Sequence, residues 1–435
     1  MKRIILLVLT FFCITFRATS VVIGGLSYSL ESDEAMLDNN NRNWDGELVI
    51  PSEVEYEGKT YTVTKIAWLA FNHCTTLSKV TIPHTITEIW HYAGYEACKN
   101  PFDGCVNLER IDVDEENPSM CSEDGVLFSK DKTQLYAYPG GDKRETYVVP
   151  ANVVWIGGDA FSGNPYLKNV EFANKHTKCF FGTFANCANL ERVVLPEEMT
   201  HIGAAMFSYC KSLQSIVIPS GVKTMAEQIF IGSSSLTSIA LPEGLTSVGS
   251  LAFKDCSSLK TVTLPSSLRE VSHGMFSGCS SLSDIILTEG PKTIYMSAFA
   301  NCTSLKTLDL PQSVNRIDQA AFTGCSLDTL IIRGVLDRNY LSGRSFEGMG
   351  KSSIIYARQS EIDKIKKVYT GNVLPLDSYT AIHDLSSPEM VIGQSSDGQW
   401  YDLSGRRLSV SPASSVPSVL PKGVYIKDGR KVLVK

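Results

Sequence analysis

A period of 23 residues governs this chain of 435. Phenylalanine recurs at Phe71, Phe102, Phe161, Phe184, Phe207, Phe230, Phe253, Phe276, Phe299, Phe322 and Phe346, and every step from Phe161 to Phe322 is 23 residues. Cysteine follows three residues later in eight of these eleven copies: Cys74, Cys105, Cys187, Cys210, Cys256, Cys279, Cys302 and Cys325. Leucine follows six residues later in the first nine, from Leu77 to Leu305. Chance does not hold such a register through seven consecutive steps, so the chain must fold as a stack of like units.

What one unit can bury explains the order of its residues. The segment Leu190 to Pro196 alternates apolar and polar, the period-2 signature of a short strand with one buried face. Proline then ends the strand, because it has no N–H to give to a ladder. Five residues before Phe stands Ile or Val (Ile156, Ile202, Val248, Val271, Ile294 and Ile317), which turns inward beside it. One unit cannot cover that much apolar surface, so neighbours stack and share a core. The expected fold is an α/β repeat solenoid of the leucine-rich-repeat kind, with short parallel strands on one face. At roughly 4.8 Å per parallel strand, eleven coils would make a rod or arc on the order of 50 Å long.

The ends of the chain depart from the period. Residues 1–20, MKRIILLVLTFFCITFRATS, combine a basic start, a short apolar run and small terminal residues, which is the pattern of a secretory signal peptide. Residues 21–65 contain Glu55-Tyr56-Glu57 and Thr60–Val63 about Gly58, a hairpin expected to cap the open end of the solenoid. Repeats occupy 66–350, interrupted by an insert at 117–150. There Val126–Phe128 and Gln134–Tyr138 read as two strands around Lys130-Asp131-Lys132, expected to project from one flank as a candidate contact surface. In 351–392 a second cap is expected, with a helix near 361–369 opened by a capping box of Ser360 and Asp363. Residues 393–435 form a linker and a β tail with a hairpin signal at Asp428-Gly429.

Charge narrows the partners. The formal net charge is −6, and removing Lys2, Arg3 and Arg17 with the signal peptide takes it to −9. Nucleic acid and anionic membrane surfaces select basic patches, so neither is expected as a partner. Twelve cysteines in an exported chain would ordinarily indicate disulfides. Here Cys256, Cys279, Cys302 and Cys325 share one column and must lie side by side, a poor geometry for bridging, so buried thiols are expected. No CxxC pair and no grouped His provide zinc ligands, and no cofactor is expected.

Nothing in the chain has the pattern of a catalytic centre. GMGKSS at 348–353 approaches a phosphate-binding loop, but Ser345 stands where that motif needs its first Gly, and no strand feeds a long helix there. Binding is the better expectation, and the solenoid's strands are the place for it. If the ninth and eleventh residues after Phe point inward, the tenth points out. That column reads Thr81, Asp112, Glu171, Val194, Val217, Ala240, Thr263, Ile286 and Asp309. Five consecutive coils, Val194 to Ile286, carry no charge there and are flanked by Arg192, Ser215 and Thr261. Outward β-branched residues also stabilise a sheet with no partner at all. A protein-contact strip is the functional alternative.

The full unit, Ile-x-x-x-Ala-Phe-x-x-Cys-x-x-Leu-x-x-Val-x-Leu-Pro, resembles the BspA-like class of leucine-rich repeats. GGLSYSL, EYEGKTYTVTKI and DGVLFSKDKTQLYAYPGG resemble segments that accompany that class, so the likeness covers about residues 24–380. It implies a bacterial secreted or surface-displayed protein with adhesive or host-contacting roles, binding extracellular proteins or glycoproteins, and no enzymatic activity. QWYDLSGRRL and LPKGVYIKDGRKVLVK are similar to a short version of the C-terminal sorting domains of type IX secretion substrates, implying attachment at the outer surface. A structural cell-envelope protein, for which the solenoid only supplies length, is the competing function.

Overall fold

From Phe184 to Phe322 each phenylalanine of the period lies flat on the next. In the computed structural model, ring centroids from Phe184 to Phe322 are spaced 5.4–6.0 Å, with interplanar angles of 5–11°. The structure describes residues 19–38, 44–68, 70–90 and 100–379, together with 400–401, 407–408, 423–427 and 430–434. The signal-peptide pattern, the linker and Asp428-Gly429 lie almost wholly outside them.

Around each Phe the backbone repeats a tight turn. Phe184 N donates to Met206 O, Phe207 N to Ile229 O and Phe230 N to Ala252 O, each bond crossing to the following coil. Two left-handed residues bracket the Phe at positions −2 and +2: Asp159 and Gly163, Ala205 and Tyr209, Gln228 and Gly232, Ser297 and Asn301. Glycine, Asn and Asp tolerate this region at low cost, whereas other L-residues are strained in it.

Two strand ladders flank the Phe stack. One carries the alternating strands, in sheets that join Thr146–Val149, Asn169–Phe172 and Arg192–Val193, then Ser238–Ala240, Thr261–Leu264 and Asp284–Leu287, then Thr307–Leu310, Thr329–Ile332, Ile354–Ala357 and Asn372–Pro375, all parallel. The second runs through the column five residues before Phe, in pairs such as Trp155–Ile156 with Lys178–Cys179 and His201–Ile202 with Thr224–Met225. Between the ladders the Phe, Cys and Leu columns are buried almost without exception.

The cysteine column is a hydrogen-bonded ladder of free thiols. Cys187 Sγ donates to Phe161 O at 3.0 Å, Cys256 to Phe230 O at 3.1 Å and Cys279 to Phe253 O at 3.1 Å, each reaching the Phe carbonyl of the preceding coil. Ser233 makes the same bond to Phe207 O at 2.7 Å, so the column selects a small donor rather than sulfur itself.

Three expectations are corrected. The insert does not project. Val126, Phe128, Leu135 and Tyr138 are fully buried in the main core, while Leu127 and Ala137 belong to the N-terminal one. It therefore knits the two cores together, because its apolar side chains have no other cover. It also contains a coil of its own. Tyr138 lies 23 residues before Phe161 and stacks on it at 4.9 Å, and Thr146–Val149 supplies that coil's strand.

The strands are also shorter than the alternation implies: the coil of Leu190 keeps only Arg192–Val193, and Val217 forms a single bridge with Ala240. Finally, the C-terminal helix is Gln359–Lys366, two residues earlier than expected, with Arg358 at its N-cap and no side-chain cap bond. Glu361, fully buried, instead accepts Leu336 N at 3.0 Å and Lys364 Nζ at 2.9 Å. That pull into the core sets the helix register in place of the Ser360–Asp363 box.

The hairpin Glu53–Tyr56 with Lys59–Ala67 forms at the N-terminal end as the spacing about Gly58 predicts. It belongs to a sheet whose other members are Thr19–Ile23, Leu26–Glu31, Glu34–Leu37 and Glu88–Trp90. At the other end Gly423–Lys427 and Arg430–Val434 pair antiparallel, with Lys427 opposite Arg430.

Candidate functional site

From the coil of Phe184 to that of Phe276 the tenth residue after Phe faces out, as strand alternation requires. Val194, Val217 and Ile286 are 40%, 82% and 60% exposed, and Ala240 and Thr263 are exposed between them. Their inward neighbours Val193, Ile216, Ile239 and Val262 are buried. Register aligns the strip: Val217 faces Ala240, Ala240 faces Thr263, and Thr263 faces Ile286. At roughly 4.8 Å per strand, the five coils span about 19 Å.

Ion pairs bracket the strip. At one end Arg192 Nη1 contacts Glu171 Oε1 at 2.6 Å; at the other Arg333 binds Asp309 through two nitrogens at 2.7 and 2.8 Å. That hydrogen-bonded pairing with Asp309 raises the Arg333 pKa further and holds the guanidinium charged. Beyond Arg333 the same column is covered. Ile331 and Tyr356 are buried, and Tyr379 lies against Tyr356 at 5.0 Å. Ser215, Ser238 and Thr261 form an exposed hydroxyl row beside the strip. Where Ser238, Ala240, Thr261 and Thr263 meet, they enclose a shallow hollow of about 230 Å³. The residues singled out from sequence (Val194, Val217, Ala240, Thr263, Ile286, Arg192 and Ser215) are thus brought to one face.

Sequence reasoning missed two residues of that face. Val148 is 52% exposed and stands opposite Glu171; Val49 is 70% exposed and stands opposite Thr81. Val148 is the tenth residue after Tyr138, in the coil that the Phe period conceals. Among the described residues no group of three or more His, Cys, Asp and Glu could hold a metal ion. The GMGKSS segment has no phosphate-loop context, since Ser353 Oγ is buried and donates to Leu327 O at 2.6 Å. Among the described residues no helix is long and apolar enough to cross a membrane.

The repeat unit can now be set against known families. The pattern described as BspA type Leucine rich repeat region matches in six copies, over residues 57–123, 134–240 and 223–351. The chain belongs to this family. It is similar to a leucine-rich repeat protein of Eubacterium ventriosum at 24% identity, covering 64% of each chain with a TM-score of 0.45. A leucine-rich repeat protein of Bacteroides ovatus shares 22% identity over 81% of this chain and 99% of its own, with a TM-score of 0.39. A leucine rich cell surface protein of Faecalibacterium prausnitzii shares 21% over 82% and 99%, with a TM-score of 0.40. No curated protein sequence matches significantly.

Proposed function

We propose that this BspA-type repeat protein is a non-enzymatic, exported binding protein that holds an extracellular protein or glycoprotein against its strand face. The observation that supports the reading is the strip from Val194 to Ile286. It is exposed, free of charge over five coils, and bracketed by the Glu171–Arg192 and Asp309–Arg333 pairs. An uncharged centre within a polar rim is the composition of protein contact surfaces, whose energy concentrates on a few central residues. Export through residues 1–20 and retention at the cell surface through the β tail belong to the same reading. The competing one, a structural envelope protein, takes its support from the β-branched residues, which favour strands without any partner.

Affinity capture from a mixture of matrix proteins and host glycoproteins separates them. The full chain is compared with a Val194→Lys, Val217→Lys, Ile286→Lys variant of unchanged circular dichroism. Capture by the native chain and loss in the variant is the expected result. Identical capture by both removes the strip from consideration, and no capture by either favours the envelope role.

A further inference from the structure

The second ladder lapses twice, between Lys178–Cys179 and His201–Ile202 and between Ser247–Val248 and Glu270–Val271, and a cavity lies at the first lapse. Trp155–Ile156 pairs with Lys178–Cys179, and His201–Ile202 begins a new sheet with Thr224–Met225, but Lys178–Cys179 does not pair with His201–Ile202. The cause is local. Four and three residues before Phe the coils carry Gly157-Gly158, Phe180-Phe181 and Gly203-Ala204, so two bulky rings stand between coils that have almost no side chain there. A Cβ on Gly158 would lie 2.3 Å from the Phe181 ring, and one on Gly203 would lie 3.0 Å from Phe180 backbone atoms. The Phe181 ring thus packs directly over Gly158, and the Phe180 backbone directly against Gly203.

The cavity beside them, of about 690 Å³, is within the size range of ligand sites. Its apolar wall is Trp155 stacked on Phe180, at 5.4 Å and 15°, and Trp155 is 38% exposed. Its rim is polar and already oriented. Glu198 is held by Lys175 Nζ at 3.0 Å and His176 Nδ1 at 2.9 Å, and His201 Nδ1 lies 2.6 Å from Thr224 Oγ1. Lys178 Nζ sits 4.9 Å from the Trp155 ring centroid.

We infer that this cavity binds a neutral pyranose sugar. A pyranose has an apolar C–H face that suits Trp155 and Phe180, edged by hydroxyls that donate and accept at once. Glu198, Lys178, Thr200 and the two histidines offer both complementary roles around that wall. The Glu198 carboxylate disfavours a phosphate ligand, and the charged rim disfavours a lipid tail. The site lies on the second ladder and does not depend on the strand-face reading.

The test is saturation-transfer NMR on the full chain with methyl β-glucopyranoside, methyl β-galactopyranoside, methyl α-mannopyranoside and N-acetylglucosamine. Trp155→Thr and Phe180→Ala install residues that the same columns carry at Thr224 and Ala226, and Glu198→Gln keeps the shape of the rim. At least one sugar is expected to receive saturation. Its affinity should fall at least about tenfold in Trp155→Thr and in Glu198→Gln, and stay unchanged in Val217→Lys. Should one variant unfold by circular dichroism, the other carries the comparison. No transfer to any of the four sugars overturns the inference, as does binding that survives both the folded wall variants and Glu198→Gln.

Discussion

Raising the pH should dissolve the thiol ladder before it affects most of the surface. Cys105, Cys179, Cys187, Cys210, Cys256 and Cys279 are buried, and desolvation, the leading cause, pushes every one of them above the ordinary thiol value; Cys187 rises to about 12. A group whose folded pKa is raised contributes stability that is intact below its unfolded pKa, near 9, and is lost as pH climbs toward the folded value. At pH 10 each unfolded thiol is about nine-tenths ionised, which favours unfolding by about 1.4 kcal/mol per site. Six such sites amount to roughly 8 kcal/mol, on the scale of a whole domain's stability.

The assay is urea denaturation followed by circular dichroism at pH 7, 8, 9 and 10 with reductant present. The native chain is paired with a Cys187→Ser, Cys210→Ser, Cys256→Ser, Cys279→Ser variant, a change that Ser233 shows the column accepts. Stability of the native chain should be flat to about pH 8.5 and then fall steeply. The four-serine variant should be spared about 5–6 kcal/mol of that loss between pH 8 and 10, because four ionisable sites are gone. Tyrosines titrate in both proteins and cancel in the comparison. Equal pH slopes in the two proteins would refute the reasoning.

Other outcomes follow from single contacts. Tyr138→Phe should stabilise by about 1 kcal/mol, since the buried hydroxyl has no hydrogen-bond partner and Phe is the column's usual residue; thermal melting checks it. Phe253→Ala, which removes a ring stacked at 5.6 and 5.4 Å on its two neighbours, should cost about 3–5 kcal/mol in denaturant unfolding. Glu361→Ala leaves Leu336 N without its buried acceptor and should cost about 1–3 kcal/mol, with hydrogen exchange rising first in the helix Gln359–Lys366.

The solenoid was legible because its anchors are covalently periodic: stacking a coil needs the same Phe, Cys and Leu at the same offsets, and those letters stand in the sequence. The coil of Tyr138 was hidden because all three of its anchors are substituted, by Tyr138, Gly141 and Arg144. The left-handed pair around each Phe was equally hidden. Stacking forces that conformation on Ala205, Gln228 and Leu251 as readily as on glycine, so residue type does not announce it. The outward strip could be read from strand alternation alone. What closes it at one end, Tyr379 on Tyr356, depends on where the chain returns after the last coil. The cavity at Phe180 left a signal of the opposite kind, two bulky residues between neighbouring coils that carry only Gly and Ala there, and a search for regularity passes over it.

The proposed function puts the partner on the strand face from Val194 to Ile286. Hydrogen exchange of the chain with and without its captured partner tests this directly. The prediction is slowed exchange across residues 192–195, 215–218, 238–241, 261–264 and 284–287, with the segment 120–150 unchanged. Protection confined to that segment or to the second ladder, with the strand face exchanging as before, would contradict it.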